Sequence, residues 1–334
     1  MPLPGAGPRP GPAFASAAVV RLESPEVRPF DHAEAAQAWL RHMRRGDWTR
    51  AWGVSDAIRR ASRPGQSAGV PRHEQHIWDG TSLDGRRVLV RCYHGLGDTI
   101  QFIRYAPLVR ERAAGLAVWA QPALLPLLAT VNGIDRLLPL HDGKVEVRYD
   151  VDVEIMELPW VFRTTAGTVP DRVPYLQVSP ARLPHSDHPR VGIAWRAGDW
   201  APHRSVPFDL VRPLLSAPVS WYVLQGRPGL AECPAGPGIV AGTDDIVELA
   251  QVMASLDLVI TVDSMTAHLA GALGRPVWTL LAADADWRWM EDRNDSPWYP
   301  TMRLFRQERA GEWEPVIERV REELGQGLGT RDKG

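Results

Sequence analysis

The stretch CYHGLGDTIQF, residues 92–102, stands between the apolar run Val88-Leu89-Val90 and a segment with helical spacing. Two glycines and an acid therefore fall where a strand turns into a helix. Arg86 to Cys92 is predicted as a strand, and Asp98 to Arg112 as a helix that Pro107 either kinks or leaves intact. Two readings of the turn are open from these residues. In one, Asp98-x-x-Gln101 is a capping box whose side chains satisfy backbone amides at the helix start. In the other, Gly95 and Gly97 let a ligand approach the backbone, and the Asp98 carboxylate serves as a base. The pattern is not a dinucleotide fingerprint, because Ile100 stands where the third glycine would fall, and no Gly-Lys-Ser/Thr follows.

Outward from this corner the alternation of strand and helix continues. GLAVWAQ, DRLLPL and YDVDVEIMELPWVF are predicted strands, the last running into a loop, and PALLPLLATV is a short helix that Pro122 can open. The polar, proline-containing VSPARLPHSDHP marks a domain boundary near 180–189. The pattern then restarts. PRVGIAWRAG, SWYVLQGR, DLVITVD and RPVWTLL are strands; FDLVRPLL, DDIVELAQVMASL and SMTAHLAGALG are helices, the last closed by Gly274 with Pro276 just beyond. Strands alternating with helices specify parallel sheets, and in such sheets ligands bind at the carboxyl ends of the strands.

The second half repeats the corner. DLVITVD ends at Asp263, and Ser264-Met265-Thr266 forms the first helical turn, whose amides and hydroxyls can hold a diphosphate. Asp263 as a plain N-cap is the competing reading. Ala267, Ala270, Gly271 and Ala272 keep this helix slim. His268, four residues after Ser264, lies on the same face and reads more readily as a packed, hydrogen-bonded side chain than as a catalyst. Asp244 or Asp245 reads as the cap of the preceding helix.

The N-terminal end differs in kind. Residues 1–30 are rich in Pro, Gly and Ala and are predicted to be a disordered tail. Residues 31–66 hold two helices around Gly46-Asp47, resembling one tetratricopeptide-type hairpin; a single hairpin cannot bury its own faces and has to pack on something or contact another protein. RPGQSAGVPRHEQ reads as a linker. The remaining boundaries are 67–182 for a first α/β domain, 183–320 for a second, and 321–334 for a helix end and tail.

Bulk composition narrows the function classes. A net charge of −2 over 334 residues excludes a dedicated nucleic-acid binder. Two distant cysteines support neither a disulfide framework nor a Cys-based zinc site. No apolar run reaches the roughly 18 residues of a membrane helix, and the proline-rich N-terminus lacks the charged region of a signal peptide. A cytoplasmic location is expected, with a peripheral position at the inner membrane also open. The 14 tryptophans line a pocket or fill a core.

Four segments in order carry a likeness: IWDGTSLDGRRVLVRCYHGLGDTIQFIRYAPLV, VGIAWRAGDWAPHRSVP, LDLVITVDSMTAHLAGALGRPVWTLL and ADWRWMEDRNDSPWYPTMRLFRQ. Over about residues 76–320 the chain resembles the bacterial tetratricopeptide-repeat glycosyltransferases related to the ADP-heptose:lipopolysaccharide heptosyltransferases. The resemblance implies a GT-B fold of two Rossmann-like domains facing across a cleft, here preceded by the hairpin. It implies inverting glycosyl transfer from a nucleoside-diphosphate sugar, ADP-linked by family likeness, to an acceptor hydroxyl, without a metal or other cofactor. Asp98 falls on the family's proposed base, and Asp263, Ser264, Met265 and Thr266, with His268, on its nucleotide-sugar segment. Tyr93-His94 depart from the expected Glu-Gln, and the 196–205 loop is short, so specificity at the acceptor and donor is open.

With no metal, a cation must meet the charge that develops on the departing diphosphate. Arg196 and Arg204 are candidates, each with a forked grip on phosphate oxygens, and both also read as solvated surface residues. Gln225 is placed to contact the nucleotide. Asp284-x-Asp286 has the spacing of a metal motif, but only Asp286 has a counterpart in the likeness. Trp287, Trp289 and Trp298 cover the sugar or base, or pack between domains. Three other functions fit the same residues: an inactive relative binding through its hairpin, a sugar-nucleotide epimerase, and a nicotinamide-dependent oxidoreductase, the last weakened by the missing glycine.

Overall fold

In the computed structural model, residues 30–61, 78–199, 201–233 and 238–327 are described. The tail at 1–29, the linker at 62–77 and residues 328–334 lie outside them. The hairpin comes first, as α1 (His32–Arg44) and α2 (Trp48–Ala61). The first sheet region follows: β1 (Arg87–Arg91), α3 (Leu96–Phe102), α4 (Ala106–Arg112), β2 (Gly115–Ala120), α5 (Leu125–Leu128), β3 (Arg136–Pro139), β4 (Val151–Glu154) and α6 (Leu158–Val161). The second is β5 (Arg190–Ala194), α7 (Phe208–Val211), β6 (Ser220–Val223), α8 (Arg227–Leu230), β7 (Ile239–Val240), α9 (Ile246–Ala254), β8 (Leu258–Val262), α10 (Met265–Ala272), β9 (Val277–Leu281), β10 (Met302–Arg306) and α11 (Glu314–Gly327).

The sheets are parallel, in the orders β3-β2-β1-β4 and β10-β9-β8-β5-β6-β7. β8, the sequence LVITV, is buried at every position, as expected of a central strand covered on both faces. The corners at 95 and 263 both follow central strands, so both open at the carboxyl edge of their sheets, where loops can meet a ligand. The boundary expected near 180–189 precedes β5; Ala181 donates its amide to Gln251 (2.9 Å) and accepts from the Ser255 hydroxyl (2.8 Å), which straps that segment to α9.

Three local expectations change. The long helix predicted from Asp98 starts at Leu96 and breaks into α3, a 3-10 turn at Ile103–Tyr105, and α4. Pro107 accounts for the break, since it removes an amide donor and its ring crowds the turn before it. β10 was not anticipated as a strand; it pairs with β9 from Met302↔Val277 to Arg306↔Leu281 and forms a sheet edge. β7, two residues pairing with β6, is too short to carry a sequence pattern.

The hairpin packs on the body rather than standing free. Trp48 stacks on Trp298 with ring centroids 5.3 Å apart, and Trp39 meets Trp287 edge-on at 5.5 Å. The Trp52 indole donates to the Thr164 carbonyl (2.6 Å), and Asp56 accepts from the Trp160 indole (2.9 Å) and pairs with Arg163. Glu291 donates its amide to the Arg44 carbonyl (2.7 Å). One hairpin thus touches the segment after β4 and the connection between β9 and β10. Trp39, Trp48 and Trp52 are all used in these contacts, so the hairpin packs on the body of the protein. No helix among the described residues is long and apolar enough to cross a membrane.

Candidate active site

The first corner is held by side chains from the neighbouring strand end. Gln121, after β2, donates to the His94 carbonyl (2.7 Å) and accepts from the Thr99 hydroxyl (3.0 Å). Gly95 is the N-cap of α3, and Asp98, three residues on, turns back to accept the Gly95 amide at 3.0 Å. Asp98 therefore does not open the helix, and its predicted partnership with Gln101 is not formed. The Asp98 side chain is 22% exposed, enough for a solute to reach it.

The second corner is dry. Asp263 is 3% exposed and pairs with Arg204 at 3.3 Å. Burial raises its pKa above the usual carboxylate value; nearby Asp286 adds to the rise, while Arg204 and Arg288 oppose it. Ser264 is the N-cap of α10, its hydroxyl 3.5 Å from that of Thr261 and making no cap bond. Thr266 is buried, and Met265 is half-buried. His268 is buried, stacks on Trp289 (5.3 Å, 19°) and shares a hydrogen bond with the Tyr299 hydroxyl (3.0 Å). Burial, aided by Arg288, Arg104 and Arg204, pushes its pKa well below the usual imidazole value, so it is neutral. That is the packed role expected of it.

The two corners touch. A side chain at Gly97 would put its Cβ 2.9 Å from His268 Cδ2 and 3.5 Å from the Met265 Cα. The space beside Gly97 is thus taken by α10. Gly271 does the same on the far side of α10, where an added Cβ would lie 2.5 Å from the Tyr299 ring. Small residues on both helices serve close packing between the halves.

Arg288 joins the corners, and the sequence reading did not single it out. It lies in a short turn after β9, with its side chain 9% exposed. It pairs with Asp98, donates Nε to Gln101 Oε1 (2.6 Å), and pairs with Asp286 at 2.9 Å. Asp286, half of the suspected metal motif, is the cap of this turn, accepting the Arg288 amide at 3.0 Å. Asp284 lies 4.0 Å from His203 instead. Among the described residues no three His, Cys, Asp or Glu side chains come together as a metal site. Beside Arg288, the buried Arg104 guanidinium bonds the Gln101 carbonyl (2.7 Å), the Trp298 carbonyl and the Tyr175 hydroxyl (2.9 Å).

The other predicted donor residues are committed elsewhere. Arg196 pairs with Glu232 (2.6 Å) and Asp199 (3.0 Å). Gln225 Oε1 accepts the Trp195 and Arg196 amides (3.1 and 2.9 Å), so it fixes the turn after β5. Asp245 caps α9 through the Val247 and Glu248 amides. Trp289 and Trp298 are fully buried and Trp287 is 9% exposed; they take the packing role. The sequence signals that point to Arg288 are its place between two tryptophans and an acid two residues before it.

With this geometry in place, the likenesses to known proteins can be read. Residues 229–315 match the sequence model of glycosyltransferase family 9 (heptosyltransferase). Protein FlbA of Caulobacter vibrioides is 29% identical over 285 residues, covering 73% of this chain and 47% of FlbA. The chain thus spans about half the length of that curated relative. A glycosyl transferase family 9 structure from Veillonella parvula DSM 2008 superposes with a TM-score of 0.56 at 13% identity, over 75% of this chain and 99% of the other. The E. coli ADP-heptose LPS heptosyltransferase II gives 0.54 at 15% identity, over 72% and 99%. The chain has the GT-B fold of these structures, and its residues 229–315 match the glycosyltransferase family 9 (heptosyltransferase) model.

Proposed function

We propose that the chain transfers a sugar, with inversion, from a nucleoside-diphosphate sugar to an acceptor hydroxyl, with Asp98 as general base. One observation carries this reading: α3, which bears the half-open Asp98, packs at Gly97 against Met265 and His268 of α10, with Arg288 on Asp98 and Arg204 on Asp263. The α10 amides and the Ser264 and Thr266 hydroxyls are suited to an anionic diphosphate. In the reaction, Asp98 takes the acceptor proton as the acceptor oxygen bonds to the anomeric carbon. The bond from that carbon to the diphosphate oxygen breaks, and its electron pair leaves with the nucleoside diphosphate. Arg204 supplies positive charge near the leaving group, a role open to cations without a metal. The donor is read as ADP-linked, in keeping with the ADP-heptose enzyme that shares the fold.

The test is release of ADP from ADP-heptose with a panel of glycan, protein and small-molecule acceptors. ADP release that requires an acceptor and disappears in Asp98→Asn is expected. A new sugar nucleotide formed with no acceptor would favour an epimerase, and unchanged turnover in Asp98→Asn would remove Asp98 from the mechanism.

A further inference from the structure

The position of Arg288 is unusual for a merely structural arginine. Its guanidinium is buried where it bonds acids from both sheet regions, Asp98 on one side and Asp286 on the other. Its flat faces lie over Phe102 and Trp287, with the central carbon 5.5 and 5.4 Å from the ring centroids. Asp98, Asp263 and Asp286 bring three carboxylates to this junction, against the guanidiniums of Arg204 and Arg288. A diphosphate entering beside three carboxylates is repelled unless a cation turns toward it. Arg204 is engaged with Asp263 within its own half. Arg288 has the planar fork that fits phosphate oxygens as well as it fits carboxylates.

The Asp98 carboxylate also needs a change of partner. Its Oδ2 accepts the Gly95 amide and its Oδ1 accepts from Arg288. With one oxygen on the Gly95 amide and the other on Arg288, the carboxylate can present an oxygen to an acceptor hydroxyl only when one partner moves away. The contact that would neutralise a diphosphate is therefore the one that occupies the base.

We propose that Arg288 is a diphosphate-binding residue held on Asp98 in the ligand-free protein. Donor binding moves its guanidinium from the carboxylate to the β-phosphate and frees Asp98 for the acceptor. The inference rests on the glycosyl-transfer reading and deepens it: the Asp98 carboxylate occupies the place of a phosphate oxygen, and the order of binding is donor before acceptor. Arg288 then meets the negative charge that grows on the departing diphosphate as the glycosidic bond breaks.

Isothermal titration of the full chain with ADP and with AMP tests this. Arg288→Gln should weaken ADP binding about 10- to 100-fold, the effect of losing a charge-assisted hydrogen bond. AMP, which has no β-phosphate, should bind within about twofold of wild type. Arg288→Lys should recover part of the loss. Asp98→Asn, which removes the competing carboxylate, should tighten ADP several-fold. Equal weakening of ADP and AMP in Arg288→Gln would assign Arg288 a structural role and overturn the proposal. Should Arg288→Gln not fold, Asp98→Asn decides, and unchanged or weaker ADP binding there overturns it. A wild-type chain that binds no nucleoside diphosphate would instead overturn the glycosyl-transfer reading itself.

Discussion

At the first corner the acid sits three residues into its helix with its side chain 22% exposed; at the second the acid ends the strand and is 5% exposed. Both follow a central parallel strand, and both bond an arginine of the second half. The difference lies in what surrounds the carboxylate. Asp263 is enclosed by its own sheet and helix, where it orders the frame. Asp98 is reached from outside, where a hydroxyl can meet it. The same strand–turn–helix device thus provides one enclosed corner and one accessible one, and helix–helix contact at Gly97 sets them side by side.

Exchanging the acids should separate the two roles. Asp98→Asn should lower turnover by about 10²- to 10⁴-fold, the usual contribution of a general base, while ADP binding persists in titration. Asp263→Ala should act on the frame. Removing one partner of the buried Asp263–Arg204 pair should cost about 3 kcal/mol, measurable by urea unfolding. Similar stability losses in both variants would erase the distinction.

The contact between the corners can be broken directly. Gly97→Ala places a methyl 2.9 Å from His268, and this overpacking should cost about 1–3 kcal/mol despite the better helix propensity of alanine. Gly53 in α2 has nothing within 4 Å of its added Cβ, so Gly53→Ala should stabilise by about 0.5–1 kcal/mol. Opposite signs in denaturant melts are expected, and equal signs would mean that Gly97 is not a packing residue.

The smallest effect is a pH dependence. The folded pKa of His268 is depressed below its unfolded value near 6.5, so the unfolded chain binds the proton more readily. Its contribution is fully present above pH about 6.5 and is lost as pH falls toward the folded pKa, by at most about 1.4 kcal/mol per pH unit. Unfolding of His268→Gln should lack this component between pH 6.5 and 5.

Most of the frame was legible. Apolar runs such as LVITV can be buried only as central strands, and the Gly-Asp and Asp-Ser corners announce strand-to-helix turns. The elements that escaped are set by partners rather than by pattern. MRLFR becomes β10 because β9 offers it an edge. Within the site, α3 with Asp98 packs beside α10, whose start follows Asp263. Arg204 was found beside Asp263, whereas Arg196 and Gln225 turned to neighbours close in sequence. Arg288 and Gln101 were not foreseen as site residues, because the bond between them spans 187 positions. Gly97 was legible as a close approach, but what approaches it is a helix.

The most direct test of the central claim is a thermal shift of the full chain against ADP, UDP, GDP, dTDP and NAD at matched concentration. A ligand that binds only the folded state at about 100 times its Kd adds roughly 2.7 kcal/mol of stability, several degrees for a chain of this size. The account predicts that ADP raises the Tm and NAD does not. A rise with NAD and with none of the diphosphates would contradict it.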